Sequence, residues 1–148
     1  MKRIVSHKSQ KEHYKADACI IWCFDARFSE LLDKFIKQKG FVHVDMIYVA
    51  GGAKDLASPE NESAREYVLG QISKSVTLHH TELVIPMVHM ACGAYGASGI
   101  KFDNQAREAE FLEKEALRAK SVIRNHLGSN STVKIENVFA DFDGLHEL

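Results

Sequence analysis

Apolar residues along this chain gather into two kinds of run. Some are short, unbroken and rich in branched side chains; others are longer and recur every three or four positions. Residues 18–23, Ala-Cys-Ile-Ile-Trp-Cys, show no polar alternation, which predicts a strand covered on both faces. Ser29 then suits a helix cap, with Leu31, Leu32, Phe35 and Ile36 on one face and Gly40 as the stop. Residues 42–49 predict a second strand, broken by Ala50-Gly51-Gly52-Ala53 into a flexible turn. Ser58-Pro59 reads as a cap followed by a first-turn proline, opening a helix to about His79 whose buried stripe is Tyr67, Val68, Ile72 and Val76. Residues 83–88 form a third apolar run that ends at His89 and a glycine-rich stretch reaching Gly99. Helical spacing of Leu112, Ala116, Ala119, Val122 and Ile123 predicts a long helix over 104–127, stopped by Gly128. Residues 133–142 predict a fourth strand, and Asp143-Gly144 a tight turn into a short last one. The opening segment through Lys15 is polar and weakly patterned, either a surface arm or a short helix.

The order βαβαβαββ predicts an α/β fold: a mostly parallel sheet flanked by helices on both faces, with a C-terminal hairpin strand. A length of 148 residues suits a single domain spanning 1–148, and therefore one active site. Pro86 resists this pattern, because inside a strand it cannot donate a ladder hydrogen bond; it calls for a bulge or an unpaired position.

Composition narrows the function. With 45% hydrophobic and 26% charged residues, the chain has the balance of an ordinary globular protein and not of a disordered or coiled-coil one. A net charge of −1, with no dense Lys/Arg segment, argues against nucleic acid as partner. No apolar run approaches membrane-spanning length and the basic opening lacks a signal-peptide core, so a cytoplasmic protein is expected. Three cysteines are an odd number for a disulfide framework, which turns attention to metal.

In a parallel sheet the strand C-termini share one edge, and ligands bind there where neighbouring connections diverge. Cys23 and His89 each fall at such an end, and Cys92 lies three residues beyond His89. Two thiolates and an imidazole are a zinc-type donor set, with a fourth position left for water or substrate. Taken singly, a strand-end cysteine is commonly a small buried hydrophobe and a loop histidine an ordinary polar residue; the combination carries the argument. Cys19 stands roughly 13 Å from Cys23 along an extended strand and is assigned to the core. His79 and His80 suit a helix C-terminus. Trp22 and Phe24 either pack the core or wall the pocket, and Tyr95 shapes the metal loop.

Cys23-Phe24-Asp25-Ala26-Arg27 together with His89-Met90-Ala91-Cys92 closely resembles the paired Cys-x-Asp-x-Arg and His-x-x-Cys segments of the β-class carbonic anhydrases. The likeness extends through Ala50-Gly51-Gly52, Cys92-Gly93 and Asp143-Gly144, and so covers most of the chain from Ala18 onward. The chain is shorter than typical members, its N-terminal arm is brief, and Met90-Ala91 replaces a more usual polar pair. The resemblance implies one Zn2+ per chain on Cys23, His89 and Cys92, a homodimer or higher homo-oligomer, and hydration of carbon dioxide to bicarbonate by zinc-bound hydroxide. Related members act on carbonyl sulfide or carbon disulfide, and a non-catalytic zinc protein with the same fold is the third reading. Asp25 and Arg27 are the expected catalytic pair: two thiolates cancel the metal's formal charge, so Asp25 would engage the nucleophile, and the Arg27 fork would hold Asp25 ionised and oriented. The resemblance also implies that this aspartate can close the fourth zinc position at rest and leave when the arginine recaptures it.

Overall fold

The computed structural model describes residues Met1–Leu148. Six strands form one sheet: β1 (Ala18–Cys23), β2 (Val44–Val49), β3 (Leu83–His89), β4 (Lys134–Ile135), β5 (Val138–Ala140) and β6 (Leu145–Glu147). Their order is β2-β1-β3-β5-β6, with β4 also pairing to β3. Every pairing is parallel except β5 with β6. The fold is therefore the α/β arrangement expected from the alternation of patterns, with the final hairpin at one edge.

The helices are α1 (Ser29–Lys39), α2 (Lys54–Ala57), α3 (Glu62–His79), α4 (Gly93–Ala97) and α5 (Gln105–Leu127). The chain moves one way across the sheet from β1 to β2, then back over β1 to β3 and onward to β5. Right-handed crossovers consequently put α1 on one face and α2, α3 and α5 on the other. The contacts of α2 and α3 with α5 agree with that division. Two central strands explain where the core sits: every residue of β1 is buried, as are all of β3 except Leu83. Leu32 from α1, Val68, Leu69 and Ile72 from α3, and Leu112, Ala116, Ala119 and Ile123 from α5 close over them in one contiguous apolar cluster. No helix is long and apolar enough to cross a membrane.

Several expectations shift. The helix expected from Ser58 begins at Glu62 and is capped by Asn61, whose side chain accepts from the Ala64 amide. Ser58 instead ends α2 and donates its hydroxyl to Glu115 Oε1 at 2.9 Å, so it is not free to cap a helix. Tyr67 is 61% exposed, and Leu69 takes its place in the buried stripe. The second strand starts at Val44, two residues late. The turn after it is buried over residues 51–53, a packed corner and not a flexible one. The N-terminal segment forms no helix; it is an arm pinned by Tyr14, whose hydroxyl donates to Asp45 Oδ1 at 2.8 Å.

The stretch 133–142 is split into β4 and β5 by Glu136-Asn137. Asn137 is fully buried and donates its amide to the Ala116 carbonyl at 3.0 Å, which draws it out of the ladder. This break accommodates Pro86. In β3 the even-numbered residues face β4 and β5: Val84 accepts from the Glu136 amide, and the Met90 amide, just past the strand, donates to the Ala140 carbonyl. Pro86 faces the same way, opposite the interruption, so its missing N–H deprives no ladder partner.

Candidate metal centre

β1 and β3 lie side by side, yet the chain leaves β1 toward one edge of the sheet and β3 toward the other. A crevice opens at their C-terminal ends, and Cys23 and His89 are the last residues of those strands. Cys92 follows on the short turn that opens α4. Ligand atoms of Cys23, His89 and Cys92 all lie within 4.8 Å of one another, and the three residues are buried. Adjacent donors on tetrahedral zinc stand roughly 3.3–3.8 Å apart, so small rotations of these side chains suffice to close a site.

The imidazole is prepared for a metal. His89 Nδ1 meets the Met90 carbonyl at 2.9 Å, and since a carbonyl only accepts, Nδ1 carries the proton. Nε2 then presents its lone pair, and it is buried with no hydrogen-bond partner. A buried acceptor without a partner is costly unless something binds it, and a cation supplies what the protein does not. Phe28 packs against the ring at 4.6 Å between centroids and fixes its plane.

The thiols are tuned in opposite directions. The facing Cys92 thiol stabilises a Cys23 thiolate, with further help from backbone amides, and holds Cys23 well below the ordinary thiol range against the cost of burial. That same thiolate, together with burial, pushes Cys92 up. One of the amides belongs to Gly51, which donates to Cys23 Sγ at 3.3 Å. Gly52 follows at φ 59°, where a Cβ would collide with the Met87 carbonyl oxygen, so only glycine lets β2 turn this close beneath the site.

Asp25 and Arg27 form a two-pronged pair. Arg27 Nη2 stands 2.6 Å from Asp25 Oδ2, its Nε lies 3.0 and 3.1 Å from the two carboxylate oxygens, and its backbone amide donates to Oδ1 at 3.0 Å. The guanidinium holds Asp25 down at about 2, so the carboxylate is ionised throughout the physiological range. Arg27 Nη2 also donates to the Ala91 carbonyl at 2.9 Å, joining the β1 end to the loop that carries Cys92. The guanidinium carbon lies 5.8 Å from the Phe28 ring centroid and 5.5 Å from that of Phe142, which limits its swing. An open cleft lined by Gly96, Ile100, Phe102 and Glu108 reaches Cys92.

Other residues fall away from the centre. Trp22 and Cys19 are fully buried in the core, whereas Phe24 is 68% exposed and packs no core. Tyr95 is the buried residue of α4, where burial and Glu115 keep its phenol neutral. His79 bonds Asp45 through Nδ1 near the start of β2, at the opposite end of the strands from Cys23 and His89. Phe28, Phe142 and the Gly51 amide escape sequence reasoning. Two are aromatics without a motif, and a backbone donor has no residue type to reveal it.

A family model described as "Putative carbonic anhydrase" matches residues 13–138. The fold is similar to β-carbonic anhydrase isoform I of Trichomonas vaginalis at 14% identity and a TM-score of 0.60, covering 96% of this chain and 87% of that one. It is also similar to a Streptococcus mutans carbonic anhydrase at 16% identity and a TM-score of 0.56, with 96% and 87% covered. A carbon disulfide hydrolase in its apo form gives 15% identity and a TM-score of 0.56, with 90% and 79% covered. No match is found among curated protein sequences. Since the family model takes in most of the chain, including both strand ends that carry the site, the chain belongs to that carbonic anhydrase family.

Proposed function

We propose that this protein is a zinc-dependent carbonic anhydrase that hydrates carbon dioxide reversibly to bicarbonate. The observation that carries this reading is the convergence of Cys23, His89 and Cys92 around the partnerless Nε2 of His89. These three residues would hold the ion, the Cys23 thiolate being ready and the Cys92 proton leaving on binding. Zinc supplies Lewis-acid activation of a water near neutral pH, the general property of an open catalytic site. Two thiolates offset the ion's charge, and so the carboxylate beside it matters. Asp25, kept ionised by Arg27, accepts a hydrogen bond from the attacking water and orients it toward the carbon. Arg27 is the positioning residue: bonds to Asp25 and Ala91 leave its fork one way to lie. Three unpaired cysteines suit a reducing cytoplasm.

The test is stopped-flow hydration by zinc-loaded protein over roughly pH 6.5–9. Activity should rise with pH, and Asp25→Asn should retain zinc while losing about 10²-fold or more in kcat. Fully zinc-loaded wild type with no rate above a zinc-free control would reject carbon dioxide as substrate. The likeness to a carbon disulfide hydrolase makes carbon disulfide and carbonyl sulfide the next substrates to try. Failure on all three would leave a zinc-binding protein without this chemistry.

A further inference from the structure

The loop between His89 and Cys92 contains a backbone conformation that its sequence does not favour. Ala91 has φ 53°, in the left-handed region that an alanine avoids because its Cβ crowds the following carbonyl. Of the two other elements that grip this residue, one is already part of the proposed machinery: Arg27 Nη2 donates to the Ala91 carbonyl at 2.9 Å. The other is not. Glu108, in the first turn of α5, accepts the Ala91 amide hydrogen on Oε1 at 2.7 Å. Both sides of Ala91 are therefore held, one by a cation on its carbonyl and one by an anion on its amide.

The consequence follows from geometry. In the left-handed conformation the Ala91 carbonyl points at Arg27; in a relaxed conformation it would turn away. Arg27 would then lose its only bond to the β3 side, and its exposed side chain, 47% accessible, would be freer to leave Asp25. Unaided, left-handed alanine is disfavoured roughly five- to thirty-fold, and a hydrogen bond from its amide to a side-chain oxygen is of the strength needed to offset that. We propose that Glu108 is a positioning residue, a strut that holds Ala91 left-handed so that Arg27 stays locked on Asp25. This rests on the carbonic anhydrase reading only for its effect on turnover; the lock itself is independent of substrate.

The experiment compares zinc-loaded wild type with Glu108→Ala, Glu108→Gln, Ala91→Gly and the double variant Glu108→Ala/Ala91→Gly. Two readouts are taken: kcat for carbon dioxide hydration, and solvent-exchange protection of the Arg27 Nε–H by nitrogen-15 NMR. Glu108→Ala should lower kcat about tenfold with KM little changed, and should lose the Nε–H protection. Glu108→Gln keeps an oxygen for the Ala91 amide and should stay within about twofold of wild type, which a pure helix-charge role would not allow. Glycine adopts φ 53° without strain, so the double variant should fold and recover most of both readouts. Wild-type protection in Glu108→Ala, loss of protection in Glu108→Gln, or a double variant that is unfolded or as impaired as Glu108→Ala each overturns the proposal. If wild type itself hydrates no carbon dioxide, the functional reading falls while the Nε–H measurements still decide the strut.

Discussion

Replacing Gly52 by alanine tests how tightly the turn after β2 is folded against the candidate metal centre. Gly40, which ends α1, provides the control. Both residues have positive φ, 59° for Gly52 and 71° for Gly40, but a Cβ at Gly40 meets nothing within 4 Å. Gly40→Ala therefore feels only the left-handed penalty, about 1 kcal/mol. Gly52→Ala carries the same penalty and also drives its Cβ into the Met87 carbonyl, with Met87 Sδ at 3.3 Å and the Cys23 amide nitrogen at 3.4 Å behind it. The Met87 carbonyl must move, and it accepts the Ala53 amide at 2.8 Å. Losing that hydrogen bond inside the core costs about 1–3 kcal/mol. The total comes to about 2–4 kcal/mol, and at about 3 °C per kcal/mol for a chain of this size Tm should drop by about 6–12 °C, against about 3 °C for Gly40→Ala. Thermal unfolding followed by circular dichroism on zinc-loaded protein measures both. Equal shifts in the two variants would refute the steric argument, since they share everything except the collision.

Cys23→Ser and Cys92→Ser should each reduce zinc well below the about one ion per chain expected of wild type; full occupancy in either, by elemental analysis, would reject that ligand. Asp25 should titrate near pH 2 in carbon-13 NMR, since Arg27 holds it there against an ordinary value of 3.8. Its folded value is the depressed one, so the pair's stabilisation is present above about pH 4 and disappears as pH falls through about 2; a midpoint near 4 would show the pair broken. β2 is an edge strand with no outer neighbour, exposed Tyr48 lies on it and exposed Val42 just before it, so a homodimer is expected at micromolar concentration; sedimentation showing monomer alone would count against it.

The parts legible in the sequence were those that burial writes into residue type. β1 and β3 are covered on both faces, so their apolar runs mark the strands and, with them, the ends where Cys23 and His89 stand. The parts that were not legible depend on which of two similar signals wins. Ser58-Pro59 reads as a helix start, yet the helix opens after Asn61, because Glu115 engages the Ser58 hydroxyl from α5, far along the chain. Tyr67 and Leu69 are two steps apart on one helix, and only the direction of packing chooses Leu69. The split of residues 133–142 follows from one long-range bond, Asn137 to the Ala116 carbonyl. At the site, residue types announced Cys23, His89 and Cys92, which the structure brings within 4.8 Å of one another, and the Asp25–Arg27 pair. The Gly51 amide, the aromatic walls and the twist at Ala91 are properties of backbone and neighbourhood, which no spacing encodes.

Pro86 acts as a ruler for the whole arrangement. β3 pairs with β4 through Leu83 and Val84 and with β5 from Met87 onward, and the proline faces the gap between them. Sliding the C-terminal segment two residues along β3 would bring a paired strand opposite a nitrogen that has no hydrogen to give. Sliding it by one would turn the buried faces of β4 and β5 outward. The sheet thus has a single register that satisfies both its core and its backbone. His89 is three residues from that fixed mark, so the register that seats the proline also sets the height at which the His89 ring emerges beside Cys23.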